Sequence, residues 1–164
     1  MNIEPNFTYT NHISNGFRIQ MKKMLPQYAI TIRFGYKKRC TTIVTQRLLD
    51  NIINAYDRKL IGPRYAEKPS MRTESFLVVE YDLTNNPHAH GVIAFHDENL
   101  KKINCLQEIG RCKYRSDGSF RFYEYDKTCP SGDILLEPIT DIDGWIRYCT
   151  KSGSSKAIFT AYNQ

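Results

Sequence analysis

The sequence has no C-x-x-C pair, no apolar run of membrane-spanning length, no low-complexity tract and, through residue 48, almost no acid. Each absence excludes something. The five cysteines (Cys40, Cys105, Cys112, Cys129 and Cys149) are odd in number and scattered, which argues against a disulfide framework or a Cys-rich zinc site. They read as reduced thiols of an intracellular protein. Without a stretch of ~20 apolar residues no helix is expected to cross a membrane. Met1 to Gln20 lacks a basic start followed by an apolar run, so no secretory signal is expected. Synthesis and residence inside a cell are the expectation. Glu4 is the sole acid among residues 1–48, against eight basic residues. This gives +7 there and leaves −1 for the rest of a chain whose net charge is +6. Such a basic first third suits a polyanionic partner.

At 164 residues the chain fits one domain with one core. Residues 1–26 are polar and read as an arm or irregular segment. Gln27 to Gly35 alternates, with Ile30, Ile32 and Phe34 against Ala29, Thr31 and Arg33, the period of a half-buried strand. In Thr42 to Leu60, Val44, Leu48, Ile52 and Tyr56 recur every four residues, which predicts a helix ended by Gly62-Pro63. Ser75–Leu83 and His88–Phe95 are rich in β-formers, and Thr84-Asn85-Asn86-Pro87 between them is turn chemistry, so the pair reads as an antiparallel hairpin. A short helix is expected over Glu98–Ile109, strands over Ser119–Asp126 and Gly132–Leu136, and a last helix over Thr140–Ser152 with Thr140 and Asp143 as a capping box. Strands in runs favour an α+β fold, a largely antiparallel sheet flanked by helices.

His88 and His90 lie two apart on a strand and so present their imidazoles on one face, as a metal site needs. A third ligand is expected from the partner strand, where Glu80 and Asp82 are candidates. If Asp82 pairs with His88, Glu80 lies opposite His90 on the same face; a slip of one residue would turn the acids away. Glu80 follows the apolar run Phe76-Leu77-Val78-Val79, where a carboxylate is costly unless paired or bound to a cation, and this favours it over Asp82. Two imidazoles and a carboxylate suit a catalytic divalent ion such as Mg²⁺ or Mn²⁺, with Zn²⁺ as the alternative, and leave positions open for a phosphate.

On the last helix Ile142, Trp145, Ile146 and Cys149 form one narrow stripe at 100° per residue, the expected core face. Tyr148 and Lys151 lie outside it, three apart on one side, with Gly144 one turn before Tyr148. A tyrosine beside a lysine can serve as a nucleophile, because the cation favours the phenolate and steadies phosphate charge.

Three ordered motifs now stand together: Tyr28-Ala29-Ile30-Thr31-Ile32-Arg33-Phe34, Pro87-His88-Ala89-His90-Gly91 and Tyr148-Cys149-Thr150-Lys151. In this order they resemble the motifs of the HUH endonuclease superfamily, and within it the rolling-circle replication initiators (Rep proteins) of the one-tyrosine type. The resemblance spans Tyr28 to Lys151. It implies the Rep nuclease fold with its ferredoxin-like core, and a domain that recognises single-stranded or hairpin origin DNA and nicks one strand. Tyr148 would attack the scissile phosphate, giving a 5′-phosphotyrosine and a free 3′-OH, and the same bond would permit joining. By this resemblance Glu80, His88 and His90 bind the metal, and Lys151 orients the phosphate or the metal assembly. Arg33, Lys37, Lys38, Arg39 and Arg147 are the candidate DNA contacts. No G-x-x-x-x-G-K-[ST] phosphate loop is present, so helicase and polymerase are expected as separate partners of the host or element.

Phe120, Phe122, Tyr123 and Tyr125 can stack on bases, but are expected to pack a strand. Two rival readings share parts of the pattern: a one-tyrosine transposase acting on single-stranded DNA, and a single-strand-binding module without catalysis.

Overall fold

Alternating apolar residues build the sheet, and the two faces it creates take different helices. The computed structural model describes residues 7–34, 42–81, 87–123, 132–150 and 156–160. Seven strands form one sheet: β1 (Tyr28–Arg33), β2 (Glu74–Tyr81), β3 (Pro87–Ala94), β4 (Arg111–Tyr114), β5 (Phe120–Tyr123), β6 (Asp133–Pro138) and β7 (Lys156–Thr160). Their order is β4-β5-β6-β1-β3-β2-β7, and every neighbouring pair is antiparallel. The helices are α1 (Phe7–Lys23), α2 (Thr42–Leu60), the single turn α3 (Asp97–Leu100) and α4 (Ile142–Cys149). The fold is α+β, as the pattern of strands in runs predicts. No helix among the described residues is long and apolar enough to cross a membrane.

One face buries Ile30, Ile32, Leu77, Val79, Ala89, Ile93, Phe120, Phe122, Ile134 and Leu136. Against them α2 sets Leu49, Ile52, Ile53, Tyr56 and Leu60, with Leu48 partly buried beside them, so Leu48, Ile52 and Tyr56 of the four-residue recurrence face this core. Phe120 and Phe122 are fully buried, so these two aromatics pack the core, while Tyr123 is partly exposed and Tyr125 lies outside the described residues. The opposite face carries a second cluster, in which Phe76, Val78 and Val92 meet Met21 of α1 and Ile146 and Cys149 of α4.

The expectation of an arm over residues 1–26 is corrected by α1. Phe17, Met21 and Met24 are spaced i, i+4, i+7 and all join the second cluster, with the rings of Phe17 and Phe76 5.4 Å apart. Burial of that narrow stripe holds a helix that its polar composition obscured. Two further expectations are corrected. Residues 98–109 do not form one helix: α3 is followed by a separate 3-10 turn at Ile103–Glu108. At the start of α3, the Nδ1 of His96 accepts the Glu98 amide. The N-cap of α4 is Asp141, whose carboxylate accepts the Gly144 amide at 2.9 Å, rather than a Thr140–Asp143 box. A Cβ on Gly144 would meet that carboxylate at 2.2 Å, so the glycine lets the cap close.

A buried ion pair fastens α2 to the segment before β2. Asp57, fully buried, accepts from Arg72 Nε at 2.9 Å and from the Thr73 amide at 2.8 Å, and Arg72 also donates to Asn54 Oδ1 at 2.7 Å. Replacing Asp57 by alanine strands the guanidinium and the amide. A loss of about 3–5 kcal/mol is expected in urea unfolding, and a change below 1 kcal/mol would contradict it.

Candidate metal and tyrosine site

The site stands on the face that carries α1 and α4. In the hairpin Glu80 is the direct partner of His88, and Val78 that of His90. The expected register, with Glu80 opposite His90, is therefore corrected by two residues. A two-residue slip preserves side-chain parity, so Glu80 still shares the face of both histidines. Glu80 Oε2 lies 3.3 Å from His88 Nε2. Asp82 lies outside the described residues. Glu80, His88 and His90 each offer a ligand atom within 4.8 Å of the others, the one such group of three among the described residues. The imidazoles stand edge to face with ring centres 5.1 Å apart.

The donor set and its setting fit a divalent cation. Two nitrogens and one oxygen converge among part-buried side chains, with His90 only 8% exposed. Thr31 Oγ1 lies 3.2 Å from His90 Nδ1. When Nδ1–H donates to this hydroxyl, the lone pair of the ring sits on Nε2, the tautomer that a ligand needs. Thr31 reaches His90 because β1 pairs with β3 in the register Thr31↔His90. The sequence marks Thr31 only as part of a strand motif; its role depends on a long-range pairing that no local pattern encodes. Thr31→Val should weaken metal affinity by roughly 10–100-fold in calorimetric titration, and an unchanged affinity would remove Thr31 from the site.

Gly91 follows the second histidine for a steric reason. A Cβ there would sit 2.0 Å from the Phe76 carbonyl oxygen and 2.9 Å from the Leu77 Cα. The small residue allows the close approach of β2 and β3 that brings Glu80 to His88.

Above the histidines lies α4. Its core stripe is as expected at Ile146 and Cys149, both 1% exposed, with Ile142 and Trp145 packed against the cluster. Tyr148 is 39% exposed, off that stripe, and its ring centre is 5.1 Å from that of His90. Trp145 does more than fill the core. Its Nε1 donates to the Gly91 carbonyl at 2.8 Å, and its ring stacks on Tyr148 at 5.2 Å and 21°. It thereby ties the tyrosine-bearing helix to the histidine strand. The signal for this was the indole N–H itself, which needs a partner when half-buried.

Other sequence-derived residues distribute unevenly. Arg33, exposed, is the β1 partner of His88 and lies on the same face. Arg147 is exposed on α4, its Nε donating to the Asp143 carbonyl at 3.3 Å. Arg121 is engaged by Asp133 at 2.6 Å and lies over the Tyr123 ring. Lys37, Lys38, Arg39 and Lys151 lie outside the described residues. Cys105 and Cys112 are free thiols, and burial pushes the Cys112 thiol up to about 11, which keeps it protonated and unreactive.

Comparison of the chain with protein-family models, with curated proteins and with solved structures finds no match.

Proposed function

We propose that this chain is a divalent-metal-dependent enzyme that nicks and rejoins single-stranded DNA through Tyr148, in the manner of a rolling-circle replication initiator. One observation carries the reading: an exposed tyrosine ring stands 5.1 Å from a histidine that belongs to a His-His-Glu group able to hold a cation. A phenol and a metal group brought together on one sheet face match what phosphoryl transfer to a tyrosine requires. Glu80, His88 and His90 would hold Mg²⁺ or Mn²⁺, which would supply Lewis-acid polarisation of the scissile phosphate. Tyr148 Oη forms a bond to phosphorus as the P–O3′ bond breaks. The phenol proton passes to solvent and the departing 3′ oxygen takes one up. The product is a 5′-phosphotyrosine beside a free 3′-OH, and the reverse attack by a 3′-OH rejoins the strand. Trp145 orients the phenol by stacking, and Thr31 orients His90.

The reading is tested by incubating the protein with a pool of single-stranded oligonucleotides and Mn²⁺. A protein–DNA adduct that survives a denaturing gel and is absent in EDTA is expected. Adduct formation unaffected by EDTA would remove the metal from the reaction, and no adduct from any oligonucleotide would overturn the reading.

A further inference from the structure

Helix α4 is a ridge with two unlike flanks. On one side a hollow of about 410 Å³ is lined by Tyr148 and Trp145 together with two carboxylates, Glu137 and Asp141. On the other side a groove of about 530 Å³ runs between α4 and α1, lined by Arg18, Lys22 and Arg147, with Ile19, Ile146 and one acid, Asp143. The cations are placed by helix geometry. Arg18 and Lys22 stand one turn apart on α1, while Phe17, Met21 and Met24 turn that helix's other side to the sheet. Arg18 is anchored through Nε on Thr150 Oγ1 at 3.3 Å, Lys22 is ion-paired with Asp143, and Arg147 is braced on the Asp143 carbonyl. Three cations against one carboxylate leave the groove at a formal +2.

We propose that the α1–α4 groove is a binding site for the phosphodiester backbone of single-stranded DNA, with Arg18 and Lys22 each neutralising a phosphate next to the one presented to Tyr148. The nature of the strand rests on the reading of Tyr148 given above. Charge sets the side of the ridge it takes. Glu137 and Asp141 repel a backbone on the tyrosine flank, whereas the opposite flank attracts one, and Arg147 is the immediate neighbour of Tyr148 in sequence. The strand therefore crosses α4 with its phosphates toward α1 and its bases free for the aromatic flank. Ile19, 67% exposed, gives the groove an apolar lip against which sugar carbons can rest.

Each phosphate neutralised on a single strand contributes about 0.7 to the slope of log affinity against log salt. The test measures that slope by fluorescence anisotropy with a labelled oligonucleotide, in EDTA and on a Tyr148→Phe background so that no cleavage intervenes. The double variant Arg18→Gln, Lys22→Gln keeps the aliphatic stems. Its slope should fall by roughly 1.4, with affinity near 0.1 M salt down on the order of tenfold. Arg18→Lys with Lys22→Arg should restore the slope, and Lys68→Ala, on an exposed turn, should leave it unchanged. On the protein with Arg18 and Lys22 intact, saturating oligonucleotide should protect Lys22 from acetylation. An unchanged slope, an unprotected Lys22, or equal affinity for polyglutamate would each overturn the proposal. Adduct formation with no slope change in the double variant would sink this inference alone. A reduced slope from a protein that never forms an adduct would leave the groove standing and sink the nickase reading.

Discussion

Tyr148→Phe should abolish the covalent protein–DNA adduct while leaving fold, metal binding and oligonucleotide affinity intact. The substitution removes one oxygen from a side chain 39% exposed, and a surface change of this kind should move thermal stability by less than about 0.5 kcal/mol. The ring stays, and with it the stack on Trp145 and the contact with His90. Removing a nucleophile from a unit that acts together costs on the order of 10³-fold or more, so nicking should fall below detection in a gel assay. Because the phenylalanine keeps the shape, the loss isolates the hydroxyl. If Tyr148→Phe forms adduct at the parent rate, another group is the nucleophile.

The second large effect is expected at the histidines. His90→Ala removes a candidate ligand that is nearly buried and 3.2 Å from Thr31 Oγ1, and His88→Ala removes the partner of Glu80. With two of three ligands left, Mn²⁺ affinity in calorimetry should drop by at least about 100-fold, more than the outer-shell loss expected for Thr31→Val. Nicking should fall with it and recover in part at high Mn²⁺. Glu80→Gln should behave alike, since an amide oxygen is a weaker ligand for a hard cation than a carboxylate. Calorimetry showing equal Mn²⁺ affinity in the parent and both alanine variants would disprove the site.

Legibility in the sequence followed the range of the interaction. Helix α2 could be read with its bounds, because apolar residues such as Leu48, Ile52 and Tyr56 recur every four positions and face a large core. The hairpin was legible as two β-rich runs around a turn. Its register was not, since residues 82–86 permit several even pairings; the shared face of Glu80, His88 and His90 survived because parity is all it needs. Helix α1 was obscured by polar residues, with only Phe17, Met21 and Met24 to signal it. Strands β4 and β7 went unread because a four-residue and a five-residue run carry too few alternations to outweigh their charged and polar members. What brings Thr31 to His90 and Trp145 to Gly91 is pairing across 59 and 54 residues of chain, and such contacts leave no local trace. The off-core side of α4 that presents Tyr148 was readable, because helical geometry alone separates it from Ile146 and Cys149.

The most direct test is to locate the nucleotide. Trypsin cuts after Arg147 and after Lys151, so digestion of the adduct, with nuclease to trim the DNA, isolates the peptide Tyr148-Cys149-Thr150-Lys151. Mass spectrometry should find that peptide carrying a nucleotide through a phosphate on the tyrosine oxygen, in a yield that disappears with EDTA. The unmodified peptide, recovered in full from an adduct whose nucleotide maps to any other residue, would contradict the assignment of Tyr148.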